Sequence, residues 1–265
     1  MSSQTAAKTS FESAPLLDIQ GHIATVTLNR PSKRNALNDS DLRCLIDHFA
    51  TINAATDVRV AILAAHVDPA RPVFSAGYDV SGFEQPGATR VVFADAPDAL
   101  ERLRPITIAA LSGNVYGGAT DLTLACDFRV GIEGMEFVMP AVRLGLHYYG
   151  TGMQRYVSRL GLSTAKRLFL LGQTQKAQHL LDIGMLEAIL PPSALDAHVR
   201  AMAEQIAGHA PLAVQGMKQS LNEIACDRFD AAAAQVRECA ALASQDFVEG
   251  RKAFGERRKP VFVGR

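Results

Sequence analysis

An excess of charge is the first thing this chain lacks: Lys and Arg total 27, as do Asp and Glu, among 265 residues. Without a net field of either sign, nothing draws the protein to nucleic acid or to an anionic membrane, so a small-molecule ligand is the expectation. Cysteine is scarce. Cys44, Cys126, Cys226 and Cys239 form no C-x-x-C pair, which argues against a disulfide scaffold and suits reduced thiols in the cytoplasm. No apolar run approaches the roughly 18 residues needed to span a bilayer. Residues 1–13 are too polar for a secretory segment and read as a loose tail. The 7 histidines include no H-E-x-x-H and no pair four apart, so no metal site is expected.

What is present is ordinary globular composition, 48% hydrophobic and 20% charged, enough to build a substantial core. Apolar and polar residues alternate from Ile19 to Leu28, predicting a strand that ends at Asn29-Arg30-Pro31. Asn38, Asp39 and Ser40 then offer capping oxygens ahead of Leu42, Leu45, Ile46 and Phe49, whose spacing marks one face of a helix. Val58 to Ala64, Ile106 to Leu111 and Asp127 to Ile132 are short, β-branched runs suited to buried parallel strands, with helices between them. From Gly152 onward strand signals fade and Ala-rich helices are predicted. The fold class is therefore α/β, with a core over 14–195 and a helical part over 196–265.

Two loops could carry chemistry, Phe74-Ser75-Ala76-Gly77-Tyr78-Asp79-Val80 and Gly113-Asn114-Val115-Tyr116-Gly117-Gly118-Ala119-Thr120-Asp121. Each follows an apolar strand and places glycine where the chain turns, so backbone N–H groups could converge on a developing oxyanion. Strand, glycine turn and helix also make any α/β crossover, so neither loop is specific alone. The ordered set is specific: Leu28-Asn29-Arg30-Pro31 with Asn35-Ala36-Leu37, the Ser-Ala-Gly-Tyr-Asp loop, and the Gly-Gly loop with Ala125-Cys126-Asp127. From about residue 15 to the closing Lys259-Pro260 and Gly264-Arg265, the chain resembles the crotonase superfamily, the enoyl-CoA hydratases and isomerases.

That resemblance implies a crotonase-type ββα spiral core, a C-terminal helical part serving as lid or trimerisation surface, and a homotrimer or a pair of trimers. It implies an acyl-CoA thioester substrate and no separate cofactor, coenzyme A being part of the substrate. The amides of Tyr78 and Gly118 would form an oxyanion hole, Ala76 and the Lys33, Ala36, Leu37 loop would flank the adenine, and Gly77, Asp79, Val80 and Gly117 would line the substrate. Family hydratases use two glutamates. Here Asp121 stands at the first position, a shorter acid, and Ala141 at the second, so a two-glutamate hydration is not expected. Asp121 alone could shuttle a proton, or could simply favour the first turn of a helix.

Gly145-Leu146-His147-Tyr148-Tyr149-Gly150 replaces the usual Pro-Gly loop. It is similar to the loop of methylmalonyl-CoA decarboxylases, in which a tyrosine at the Tyr148 position lies near the departing carboxylate; Tyr149 and His147 read as packing. Leu144, Tyr148 and Phe83 would wall the acyl chain. The resemblance thus leads to enoyl-CoA hydration or isomerisation, with decarboxylation of a malonyl-type ester or non-catalytic ester binding as rivals. The basic run Arg251, Lys252, Arg257, Arg258 and Lys259 reads as a solvated helix and tail.

Overall fold

A computed structural model of the chain describes residues 12–79 and 93–265. Val80 and Phe83 lie outside the described residues. Where alternation predicts one strand over 19–28, the chain forms a hairpin of β1 (Leu16–Gln20) and β2 (Ile23–Leu28). Gly21, at φ +59°, reverses the chain inside an apparently continuous pattern. Asn38 caps α1 (Asp39–Ala54): its Oδ1 accepts from the Asp41 amide at 3.0 Å while Asp41 Oδ2 accepts from the Asn38 amide at 3.0 Å.

Three consecutive segments then repeat one plan, a strand in a first sheet followed by a short strand in a second. They are β3 (Val60–Ala65) with β4 (Val73–Ser75), β5 (Ile106–Leu111) with β6 (Asn114–Tyr116), and β7 (Phe128–Ile132) with β8 (Glu136–Val138). Helix α2 (Asp95–Glu101) precedes β5, and α3 (Ala119–Leu124) follows β6. Among the described residues, the first sheet has six strands, completed by β10 (Ala188–Leu190), and the second has four, completed by β9 (Gln175–Lys176). All neighbours in the first sheet are parallel except β1 with β2. Every residue of β5 is buried, as expected of a central parallel strand covered on both faces.

The second sheet is absent from the periodicity because its strands are two or three residues long. The same brevity hides β10, which extends the first sheet within the stretch read as helical. Between β8 and β10, α4 (Gly150–Leu160), α5 (Leu162–Lys166), a π turn at Arg167–Leu171 and α6 (Ala177–Asp182) wrap the core. Helix α7 (Leu195–Ala207) buries Leu195, Val199 and Ala203 against the first sheet, so this sheet takes a covering helix from beyond residue 195. Helices α8 (Pro211–Ala225), α9 (Ala231–Leu242) and α10 (Gln245–Glu256) follow. Lys218 anchors α8, reaching the Pro105 carbonyl and Asp127 at 2.7 Å each.

Candidate active site

Strand register brings the two glycine loops side by side. Beneath them Asn35, buried in the left-handed region at φ +49°, uses its whole side chain. Its Oδ1 accepts from the Arg30 amide at 2.8 Å and its Nδ2 donates to the carbonyls of His66 and Phe74 at 2.8 and 3.0 Å. The loop so held pairs with the next: Ala76 N donates to Arg34 O, Leu37 N to Gly77 O and Asp79 N to Leu37 O, each at 2.8 Å. The segment carrying Lys33 and Ala36 is thereby joined, through Arg34 and Leu37, to Ala76, Gly77 and Asp79. The Tyr78 hydroxyl donates to Asp39 Oδ1 at 2.5 Å.

Gly77, at φ +85°, makes the junction with the second loop possible. A Cβ there would lie 2.6 Å from Tyr116 O and 2.8 Å from Gly118 N, backbone atoms that cannot yield. Gly118 caps α3, and among the described residues its N–H donates to no backbone carbonyl. The Phe93 ring covers the same residue, 2.5 Å from where a Gly118 Cβ would stand, and meets Tyr78 edge-on at 5.8 Å between centroids.

One turn into α3, Asp121 is fully buried. Its Oδ2 accepts 2.6 Å from Arg155 Nη1 and also takes a short hydrogen bond from the Tyr149 hydroxyl. Its Oδ1 is buried with no hydrogen-bond partner among the described residues. Burial pushes the Asp121 carboxyl above its ordinary range, and the Arg155 guanidinium and Tyr149 hydroxyl pull against that shift. Arg155, itself fully buried, also binds Asp98 at 2.7 Å and Glu101 at 3.1 Å, both on α2, and Arg159 reaches Glu101 at 3.1 Å. Two cations therefore face three carboxylates.

Tyr148 is buried and stacks on Tyr149, centroids 4.3 Å apart, with its hydroxyl donating to that of Tyr149 at 3.3 Å. Burial, reinforced by the Asp121 charge, raises both phenols far above the ordinary tyrosine range, so both stay protonated. Gly152 on α4 lets this cluster close: a Cβ there would meet Tyr148 Cε1 at 2.6 Å, Tyr149 Cε2 at 2.8 Å and Asp121 Oδ2 at 3.1 Å. Ala141, in a 3₁₀ turn at Ala141–Leu144, is buried and carries no acid.

The family model described as enoyl-CoA hydratase/isomerase matches residues 18–265. The chain belongs to this enoyl-CoA hydratase/isomerase family. It is 31% identical to a 2,3-dehydroadipyl-CoA hydratase of Escherichia coli, covering 93% of this chain and 97% of the relative. A 31% identity also links it to an (E)-benzylidenesuccinyl-CoA hydratase of Thauera aromatica, over 94% and 98% of the two chains. Among solved structures, an enoyl-CoA hydratase/carnithine racemase of Magnetospirillum magneticum superposes with a TM-score of 0.87 at 28% identity, covering 96% of each chain. The fold is that of the crotonase superfamily, and the chain is a hydratase/isomerase-type enzyme.

Within this family frame, the expected residues divide. Gly77, Tyr78, Gly117, Gly118 and Asp121 gather at the crossing of the two loops, with Tyr148 behind Tyr149. Lys33 and Asp79 are exposed at its edge. Leu144, expected to wall the acyl chain, is 62% exposed at the end of the 3₁₀ turn, between exposed Val142 and Leu146. Tyr149, read from the sequence as packing, instead holds the carboxylate. Arg155 was not anticipated at all, although complementary spacings signal it: Asp98 and Glu101 lie three apart on α2, Arg155 and Arg159 four apart on α4.

No helix among the described residues is long and apolar enough to cross a membrane. No group of three or more His, Cys, Asp or Glu among them could hold a metal ion.

Proposed function

We propose that this enzyme moves a proton on the acyl chain of an enoyl-CoA thioester, the amides of Tyr78 and Gly118 holding the thioester oxygen and Asp121 acting as the base. Asp121 carries the reading: a buried carboxylate with one oxygen that has no hydrogen-bond partner among the described residues, three residues beyond Gly118. Charge developing on the thioester oxygen would meet preorganised N–H donors, each worth roughly 3 kcal/mol of barrier in comparable sites. With Ala141 in place of a second acid, isomerisation of the double bond demands less of the site than addition of water, because one base suffices. Coenzyme A enters as part of the substrate, beside Lys33, Ala36, Leu37 and Ala76, and no further cofactor is required. Leu144 would meet the acyl chain only if the bound substrate covered its exposed face.

The test is turnover of crotonyl-, 3-enoyl-, malonyl- and methylmalonyl-CoA by wild type and Asp121→Asn. Turnover of the 3-enoyl ester, lost on substitution, is expected. Turnover confined to malonyl-type esters and surviving Asp121→Asn would transfer the role to Tyr148 and make the reaction a decarboxylation. Tight ester binding without any turnover would leave only a binding role. The Tyr148 hydroxyl counts against decarboxylation, since it is already directed to Tyr149.

For assembly, we assign α8–α10 to subunit contacts in a trimer or a pair of trimers. Supporting this, they flank a mainly apolar groove of about 1180 Å³ and expose Met217, Leu221, Ile224 and Phe254. None of the groove's lining residues belongs to the Asp121 cluster. Four free cysteines fit a reducing compartment such as the cytoplasm.

A further inference from the structure

Asp121 presents two unlike oxygens. On Oδ2 converge a guanidinium N–H at 2.6 Å and the Tyr149 hydroxyl; Oδ1, equally buried, receives nothing among the described residues. A buried carboxylate oxygen without a donor is costly, and proteins seldom leave one unless its lone pair is used. Given the proposed function, on which this inference rests, we propose that Arg155 and Tyr149 are positioning residues that fix Asp121 through Oδ2 and reserve Oδ1 as the single proton-transfer atom.

The step balances on one oxygen. Oδ1 takes the proton from C2 of a 3-enoyl-CoA, and the C–H electron pair enters a dienolate whose charge rests on the thioester oxygen. The same Oδ1 returns the proton to C4 as the double bond forms between C2 and C3. Tyr149 cannot itself be the base, because it is held protonated. It serves as a donor to the ionised carboxylate, as does Arg155, which gives Oδ2 one N–H from Nη1 while its other nitrogens, held by Asp98 and Glu101, fix the guanidinium's position. Among the described residues, the charged and titratable groups around Asp121 are Tyr148 and Tyr149 ahead of α4, Arg155, Tyr156 and Arg159 on α4, and Asp98 and Glu101 on α2.

Removing a donor to the charged form must make that carboxyl harder to ionise. The decisive variant is Tyr149→Phe, which deletes one hydroxyl and keeps the ring stacked on Tyr148. In carbon-13-labelled protein, the Asp121 carboxyl signal, assigned by its loss in Asp121→Asn, is expected to titrate at higher pH in Tyr149→Phe than in wild type. With 3-hexenoyl-CoA, KM should hold while kcat falls roughly tenfold, the size of one hydrogen bond to a charged acceptor, and the rising limb of the pH profile should move the same way. Arg155→Lys, which keeps a cation but cannot reach Asp98, Glu101 and Asp121 at once, should also move the limb upward. A carboxyl midpoint and limb unmoved in folded Tyr149→Phe overturn the inference and leave the proposed function standing. Full isomerisation by Asp121→Asn sinks the function and the inference together.

Discussion

Gly152→Ala and Gly150→Ala, two residues apart on α4, should act in opposite directions. At Gly150 an added Cβ meets nothing within 4 Å, so the variant gains only the stiffer unfolded-state reference of alanine, about 0.4–1 kcal/mol. At Gly152 the same gain opposes a Cβ placed 2.6 and 2.8 Å from ring carbons of Tyr148 and Tyr149, roughly 1 Å inside ordinary carbon contact. Those rings cannot swing freely: Tyr148 also packs on Phe169 at 5.3 Å, and Tyr149 on Phe93 at 6.1 Å. Overpacking of this kind costs about 1–3 kcal/mol, so sterics win and the net loss is about 1–2 kcal/mol. For a chain of this size that lowers the melting midpoint by roughly 3–6 °C, while Gly150→Ala raises it by roughly 1–3 °C. Thermal melts followed by circular dichroism measure both. If Gly152→Ala melts at or above wild type, the close packing of the two tyrosines on α4 is refuted. If it melts lower with unchanged turnover, Tyr149 has no bearing on the reaction.

Gly77→Ala forces a side chain into backbone at φ +85° and should cost about 3 kcal/mol or more, with loss of acyl-CoA turnover even in the folded fraction, measurable by urea unfolding and assay. Asn35→Ala removes three hydrogen bonds of a buried side chain and should destabilise by about 3 kcal/mol; a loss under 1 kcal/mol in the same measurement would contradict the role given to its side chain. Asp121 binds its proton more tightly folded than unfolded, so its contribution to stability is full below the unfolded value near 3.8 and is lost as pH rises through the higher folded value. The stability of wild type minus that of Asp121→Asn should accordingly fall with rising pH above about 4, and a rise across that window would reverse the assignment. Cys126, fully buried with its thiol pushed up to about 12, should resist a thiol reagent until unfolding, whereas exposed Cys239 should react at once.

The sheet core was legible because its strands are continuous apolar runs: Ile106 to Leu111 is β5 to the residue, and Val58 to Ala64 differs from β3 only at its ends. The second sheet was not, since three residues such as Val73–Ser75 are too few to show a period of two. The loops at the site could be picked out by their glycines, but the reason for Gly77 lies in Tyr116 and Gly118, about 40 residues away in sequence. Asp121 could be placed by motif; its partners could not. Arg155 and Tyr149 reach it from α4 and the turn before it, 34 and 28 residues on, and no local pattern states which of several tyrosines faces a carboxylate. Leu144 illustrates the converse, an apolar residue whose 3₁₀ turn leaves it in solvent.

Arg155 makes the site hard to change one residue at a time. Three carboxylates on two helices share its single guanidinium, so substituting Asp98, Glu101 or Asp121 alters what the other two experience. Stability effects within this set should not add, and a second substitution should depend in sign on the first. A lineage altering its chemistry by replacing Asp121 would meet that barrier immediately, with Arg155 still paired to Asp98 and Glu101 but its buried Nη1 deprived of its carboxylate acceptor. The mutational route to a new reaction in this scaffold therefore runs first through α2 and α4, away from the reacting carbon, and only afterwards through the acid itself.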